Sequence, residues 1–122
     1  MSIAFDQRDG FIWMNGEMSP WADTKVHVLT HGLHYGSCVF EGERAYGGKI
    51  FKLREHTERL FFSARELGFE LPYSVEEIDA ACEATLEANN LVDGYIRPGA
   101  WRGSEMMGVS AQQNRINVAV AA

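Results

Sequence analysis

The stretch CVFEGERAYGGKIFKLREHTERLFFSARELG, residues 38–68, decides the fold, because the period of its apolar positions changes once within it. If Val39 to Tyr46 is a strand, a period of two places Phe40, Gly42, Arg44 and Tyr46 on one face and Val39, Glu41, Glu43 and Ala45 on the other. Gly47-Gly48 then separates Cys38–Tyr46 from Lys49–Leu53 and offers two residues free of Cβ strain, as a tight hairpin requires. Beyond the turn, Leu53, Leu60, Phe61, Ala64 and Leu67 follow helical spacing, and Gly68 stands where a helix C-cap is expected. This predicts a helix over 54–67.

Working outward, FIWMNGEMSPW (11–21) places Asn15-Gly16 between two short apolar segments, and Asn-Gly supplies the two positive φ angles of a first hairpin. VHVLTHGLHYG (26–36) is expected as strand followed by loop. On the other side, Ser74-Val75-Glu76-Glu77 reads as a capping box, with Val75, Ile78, Ala81, Cys82, Thr85 and Leu86 forming one apolar stripe behind it. A second helix should run to about Asn89. After Asp93-Gly94 the chain is extended through YIRPGAW, where Pro98 implies a sheet edge or a bulge because it cannot donate a ladder hydrogen bond. RGSEMMGVS (102–110) is expected as a loop. From Asn114 to Ala122, Ile116, Val118 and Val120 alternate on one face as in a half-buried strand. The expected class is α+β: a mostly antiparallel sheet with two helices packed on one face. An apolar strand with no following turn is an unusual ending, so residues 1–122 are expected to be a single domain of a longer chain.

The 122 residues are 46% hydrophobic and 23% charged, which fits one globular domain with a modest core. A net charge of −6 argues against a phosphate-tracking surface, so no nucleic-acid partner is expected. No stretch approaches the ~18 apolar residues of a membrane helix, and the start has no basic segment leading into an apolar run. No membrane partner and a cytoplasmic location are expected. Cys38 and Cys82 have no zinc-like spacing and are read as buried small apolar residues.

Several constellations could carry chemistry. Phe40 and Arg44 share a strand face with Gly42 between them, and a glycine there leaves room for a ligand or a neighbouring chain to approach the backbone. The same pattern suits an ordinary amphipathic strand with Arg44 solvated. Tyr95 and Arg97 lie side by side at period two, a phenol and a guanidinium suited to a carboxylate; a surface arginine beside a packed tyrosine has the same spacing. His56 and Arg59 share a helical face at i, i+3. The Arg59 fork suits phosphate oxygens, although it could equally pair with Glu55 or Glu58. His27, His31 and His34 would have to converge from a strand and a glycine-containing loop with no carboxylate or cysteine near in sequence, so no metal site is expected.

The ordered set WMNGEM, KVHVLTHGLHYG, VFEGERAY, FKLREHTERLFFSARELG, NNLVDGYIRP and MMGV resembles the branched-chain aminotransferases, fold-type IV pyridoxal-phosphate enzymes, over essentially all of residues 11–120. The resemblance implies the small amino-terminal domain of such an enzyme, with pyridoxal 5'-phosphate as cofactor. It implies amino-group transfer between branched-chain L-amino acids (Leu, Ile, Val) and 2-oxoglutarate, in a homodimer or higher homo-oligomer. Arg59 would bind the cofactor phosphate and Phe40 would line the apolar side-chain pocket. Tyr95 would meet the substrate α-carboxylate, Arg97 the side-chain carboxylate of glutamate, and Arg44 would support this polar part. Tyr35 and Val109 would contribute to the pocket of a neighbouring subunit, with Met107 and Gly108 in a loop near the active site.

Lys25, Lys49 and Lys52, the only lysines, match parts of the family that lack the Schiff-base lysine. The resemblance places that lysine in a larger carboxyl-terminal domain beyond Ala122, so these residues alone are expected to be inactive. Glu43 stands in FEGERAY where an apolar residue is more usual. Trp101 shares the Tyr95 and Arg97 face and could narrow the pocket or simply pack. The same fold also serves D-amino-acid and amine transaminases and aminodeoxychorismate lyase, and a stand-alone dimerising or ligand-binding module is a non-enzymatic alternative.

Overall fold

A computed structural model of the protein describes residues 2–122. The two expected hairpins form. Strand β1 (Phe11–Met14) returns as β2 (Glu17–Pro20) through Asn15 and Gly16, with φ of +50° and +101°. The second turn, Gly47 and Gly48 with φ of +59° and +82°, joins β4 (Glu43–Tyr46) to β5 (Lys49–Ile50). Both φ angles are positive in each turn, as a two-residue connection matched to strand twist demands. Helix α1 (His31–Tyr35) and strand β3 (Cys38–Phe40) lie between the hairpins. Helices α2 (Leu53–Glu66) and α3 (Val75–Ala88) follow, then β6 (Gly94–Arg102) and β7 (Ile116–Ala121). All pairings are antiparallel, in the order β2-β1-β7-β6-β4-β5 with β3 also on β6, so the expected α+β architecture is the one observed.

The helices form for the anticipated reasons. Ser74 Oγ accepts from the Glu77 amide at 3.1 Å while the Glu77 carboxylate accepts from the Ser74 amide at 2.9 Å, a complete capping box. Ile78, Ala81, Cys82, Thr85 and Leu86 then face inward against Leu60 and Ala64 of α2 and against Ile96, Val118 and Val120 of the sheet. Each buried aliphatic side chain here contributes roughly 1.5–3 kcal/mol, so this layer between helices and sheet supplies most of the cohesion. Leu67, expected on the inner stripe, is exposed where α2 ends.

Three expectations need correction. Val26 and Val28 are not in a strand: both are exposed without ladder partners, and the chain turns at Thr30 into α1. Cys38 is exposed, because it shares strand parity with Phe40 and so lies on the face away from the helices; only Cys82 is buried. Pro98 lies neither at an edge nor at a bulge. It is in the middle of β6, between β7 and the β3–β4 segment.

The Glu41 amide donates to the Pro98 carbonyl at 3.0 Å, and the reciprocal bond is impossible because proline has no N–H. That missing bond divides the segment expected as one strand into β3 and β4. The register continues unbroken across the gap, with Phe40 opposite Gly99 and Glu43 opposite Ile96. Side-chain parity survives: Glu41, Glu43 and Ala45 are buried, while Phe40, Arg44 and Tyr46 are exposed.

Parity carries Glu43 into the core. It is fully buried, and among the described residues neither carboxylate oxygen has a partner at hydrogen-bonding geometry, although the Cys82 thiol lies alongside. Burial pushes its carboxyl up to about 7, against the downward pull of His56 and Cys82 and with an upward push from Glu41 and Asp79. A raised acid pKa costs nothing while the group is protonated in both states. The cost grows as pH rises above the unfolded value of 4.5 and levels off above about 7. We therefore expect stability to fall by on the order of 2–3 kcal/mol between about pH 5 and about pH 8. Glu43→Leu should remove most of that slope in urea unfolding at the two pH values; an equal slope in both proteins would contradict it.

Candidate active site

The face of the sheet turned away from α2 and α3 carries the first group of candidate residues. Tyr95, Arg97 and Trp101 project from β6, with Phe40 from β3 and Arg44 from β4, where Arg44 is paired with Tyr95 in the register. The Arg97 guanidinium lies 4.6 Å from the centroid of the Phe40 ring and donates to the Tyr95 hydroxyl through Nη2 at 3.0 Å. An arginine, a phenol and an aromatic wall therefore form one unit, with part of the guanidinium fork left toward solvent.

Gly42 makes this unit possible in a way the spacing did not reveal. A Cβ at Gly42 would meet the Tyr95 hydroxyl at 2.5 Å and its ring carbons at 3.1 Å. The space is thus taken by Tyr95 of the same chain and not by a ligand or a neighbour. Beside the unit, Phe40, Gly99, Trp101, Ala119 and Leu33 line an apolar depression together with Arg97 and Lys25. Trp101 both lines this depression and packs on α1, where only Gly32 lets its Cβ approach so closely.

The second group lies on the opposite face of the same strand. Arg59 pairs with neither Glu55 nor Glu58. Its Nε and Nη2 donate to the two oxygens of Glu41, each at 2.7 Å, and Nδ1 of His56 lies 2.7 Å from the same carboxylate. Glu41 is buried while the Arg59 side chain is 66% exposed. Burial alone would raise the Glu41 carboxyl, but the hydrogen bonds and charges of Arg59 and His56 outweigh it and hold it below the usual carboxylate range. Among the described residues, Arg59 Nη1 has no hydrogen-bond partner, so the end edge of its fork is available to an anion.

The third group gathers at α1 and the segment 103–115. Asn114 donates to the carbonyls of Gly103 and Met106, at 2.9 and 3.1 Å, and shapes the loop from within. His31 Nε2 lies 3.1 and 3.0 Å from the carbonyls of Gly108 and Val109 and donates toward them, while Nδ1 lies 2.6 Å from Ser37 Oγ. Tyr35 donates to the Met107 carbonyl at 3.1 Å. With its backbone clamped, the loop turns the Met107 and Val109 side chains outward. His27 and His34 spend their rings on local backbone groups, and among the described residues no cluster of three or more His, Cys, Asp or Glu is gathered for a metal. Nor, among the described residues, is any helix long and apolar enough to cross a membrane.

The candidate residues thus fall into three separate groups: Phe40, Arg44, Tyr95 and Arg97; Arg59 alone, behind the strand; and Tyr35, Met107, Gly108 and Val109 at the loop. Sequence reasoning missed Glu41, which organises the second group, while His31, read as a packed or hydrogen-bonding histidine, secures the third. Parity already placed Glu41 on one face with the apolar Val39 and Ala45, and that was the available signal for a buried acid needing a partner.

Residues 38–122 match the family model "Amino-transferase class IV". A probable branched-chain-amino-acid aminotransferase of Rickettsia bellii is 54% identical over 92% of this chain and 39% of its own length. The branched-chain-amino-acid aminotransferase of Pseudomonas aeruginosa is 49% identical over the whole of this chain and 40% of its own. Among solved structures, the branched-chain amino acid aminotransferase of T.th. with pyridoxamine 5'-phosphate superposes with a TM-score of 0.89 at 43% identity, covering 93% of this chain and 40% of that one. The chain therefore spans about two-fifths of the length of these relatives, and it belongs to the class IV amino-transferase family.

Proposed function

We propose that residues 1–122 are the substrate- and phosphate-recognition domain of a pyridoxal-phosphate-dependent branched-chain aminotransferase. Its reaction moves the amino group between leucine, isoleucine or valine and 2-oxoglutarate. The observation that carries this is the stacked unit of Phe40, Arg97 and Tyr95, of which Phe40 and Arg97 line an apolar depression. One pocket must accept a branched aliphatic chain in one half-reaction and a second carboxylate in the other, and an apolar wall with a guanidinium at its rim suits both. Tyr95 meets the α-carboxylate and Arg97 the side-chain carboxylate of glutamate, with Arg44 adding positive charge beside Tyr95.

The class IV relatives support the cofactor, and the residues present fit its phosphate: Arg59 offers the free end edge of a guanidinium whose other edge is already held. When bound, the cofactor supplies the electron sink for chemistry at the amino-acid α-carbon. Lys49 and Lys52 stand near the β4–β5 hairpin, where Lys52 pairs with Glu55, while Lys25 is an exposed residue lining the depression. None is assigned the Schiff-base role, which falls to a larger carboxyl-terminal domain. Tyr35 and Val109, turned outward at the clamped loop with Met107 and Gly108, serve the pocket of a second subunit in a homodimer or higher oligomer.

The test is transamination by the complete natural chain with 2-oxoglutarate as acceptor. Activity on L-leucine is expected and none from residues 1–122 alone; activity on D-alanine without L-leucine would refute the assignment. In that enzyme Arg97→Ala should raise KM for 2-oxoglutarate about tenfold or more while changing that for L-leucine far less, as expected for losing a charge-assisted hydrogen bond. Gly42→Ala should weaken binding of both acids, because its Cβ displaces the Tyr95 hydroxyl. Unchanged KM values in Gly42→Ala would show that Tyr95 does not touch substrate.

A further inference from the structure

We infer that Glu41 is a positioning residue for cofactor phosphate binding, acting through Arg59; the inference rests on the phosphate role proposed for Arg59. A guanidinium has two edges able to form paired hydrogen bonds, the side edge of Nε with one terminal nitrogen and the end edge of the two terminal nitrogens. Glu41 engages the side edge with two bonds of 2.7 Å and leaves the end edge free. An arginine this exposed would otherwise sample many rotamers, and binding a phosphate would have to restrict them. The carboxylate removes that cost beforehand.

The carboxylate is itself well held. Glu41 is 4% exposed, its amide donates to Pro98 at the gap between β3 and β4, and His56 adds a third hydrogen bond to the side chain. Strand parity aims it at α2, and the unbroken register across Pro98 keeps it there. A loosely held acid competing with phosphate for Arg59 would have been expected on the end edge, or on an exposed and mobile side chain. Its burial and its choice of edge argue for orientation instead. The three residues form a relay of constraint running from the sheet through Glu41 to the fork of Arg59.

The experiment measures equilibrium binding of pyridoxal 5'-phosphate and of pyridoxal, which lacks the phosphate, to the full-length apoenzyme and its Glu41→Gln, Glu41→Asp and Arg59→Ala variants. Glu41→Gln removes the charge, and Glu41→Asp keeps it but withdraws it by one methylene. We expect both to weaken pyridoxal 5'-phosphate binding by about tenfold, the scale of loss when a group orienting a ligand-binding side chain is removed, with pyridoxal affinity unchanged. Arg59→Ala should show the same selective loss, larger. If Arg59→Ala is selective but both Glu41 variants bind pyridoxal 5'-phosphate as well as or better than the parent, the positioning role is wrong and the phosphate role of Arg59 stands. If the Glu41 variants lose both ligands equally, the effect is structural and the inference is again overturned. Failure of Arg59→Ala to discriminate the ligands would overturn the phosphate reading itself.

Discussion

The structure depends on the antiparallel pairing of residues 38–46 with β6. This one register, continuous from Cys38 opposite Trp101 to Ala45 opposite Gly94, decides which side chains go beneath the helices and which face outward. Ala45, Ile96 and Ala100 complete the core, while Phe40, Tyr95 and Arg97 meet on the other face. A slip of one residue would exchange the two sets, placing Arg97 in the core and Ile96 in solvent. The buried α3 stripe and the central position of β7 leave no room for that alternative.

Two glutamates on this strand show how partners govern the state of a buried acid. Glu41 and Glu43 have the same parity and are almost equally buried. Glu41 meets the cationic fork of Arg59 and the ring of His56, and its carboxyl is held low. Glu43, two residues on, reaches a space beside Cys82 and Asp79, has no cation in contact with it among the described residues, and is held high by burial. The first arrangement organises an anion-binding arginine. The second is a cost in stability that grows as pH rises from about 5 to about 8.

The loop from Gly103 to Arg115 has no regular structure, yet it is tied down along its length. Arg102, itself buried, donates to the carbonyls of Gly68 and Ala111; Asn114, His31 and Tyr35 secure the stretch between. Each of these bonds ends on a backbone carbonyl, so they fix the path of the chain and leave the side chains of Met107 and Val109 free to face outward. Such an arrangement presents apolar groups on a rigid support, in keeping with the proposed contribution to a neighbouring pocket.

The sequence by itself determined the class of fold, both hairpin turns, the two long helices and the composition of the faces, because these depend on local φ requirements, capping and periodicity. It also put Phe40 with Arg44 on one strand face and Tyr95 with Arg97 on another, since strand alternation is a local rule. Only the tertiary structure decided what those residues touch. The space beside Gly42 belongs to Tyr95 because β4 and β6 are neighbours, and Arg59 pairs with Glu41, 18 positions away, because α2 packs over that strand. Pro98 sits in a central strand because the β3–β4 partner tolerates one missing bond there without losing register. The segment 26–36 shows the converse: Val26 and Val28 have strand propensity, but with no partner strand beside them the chain turns instead into α1, since a strand is stabilised by its neighbours and not by its own residues.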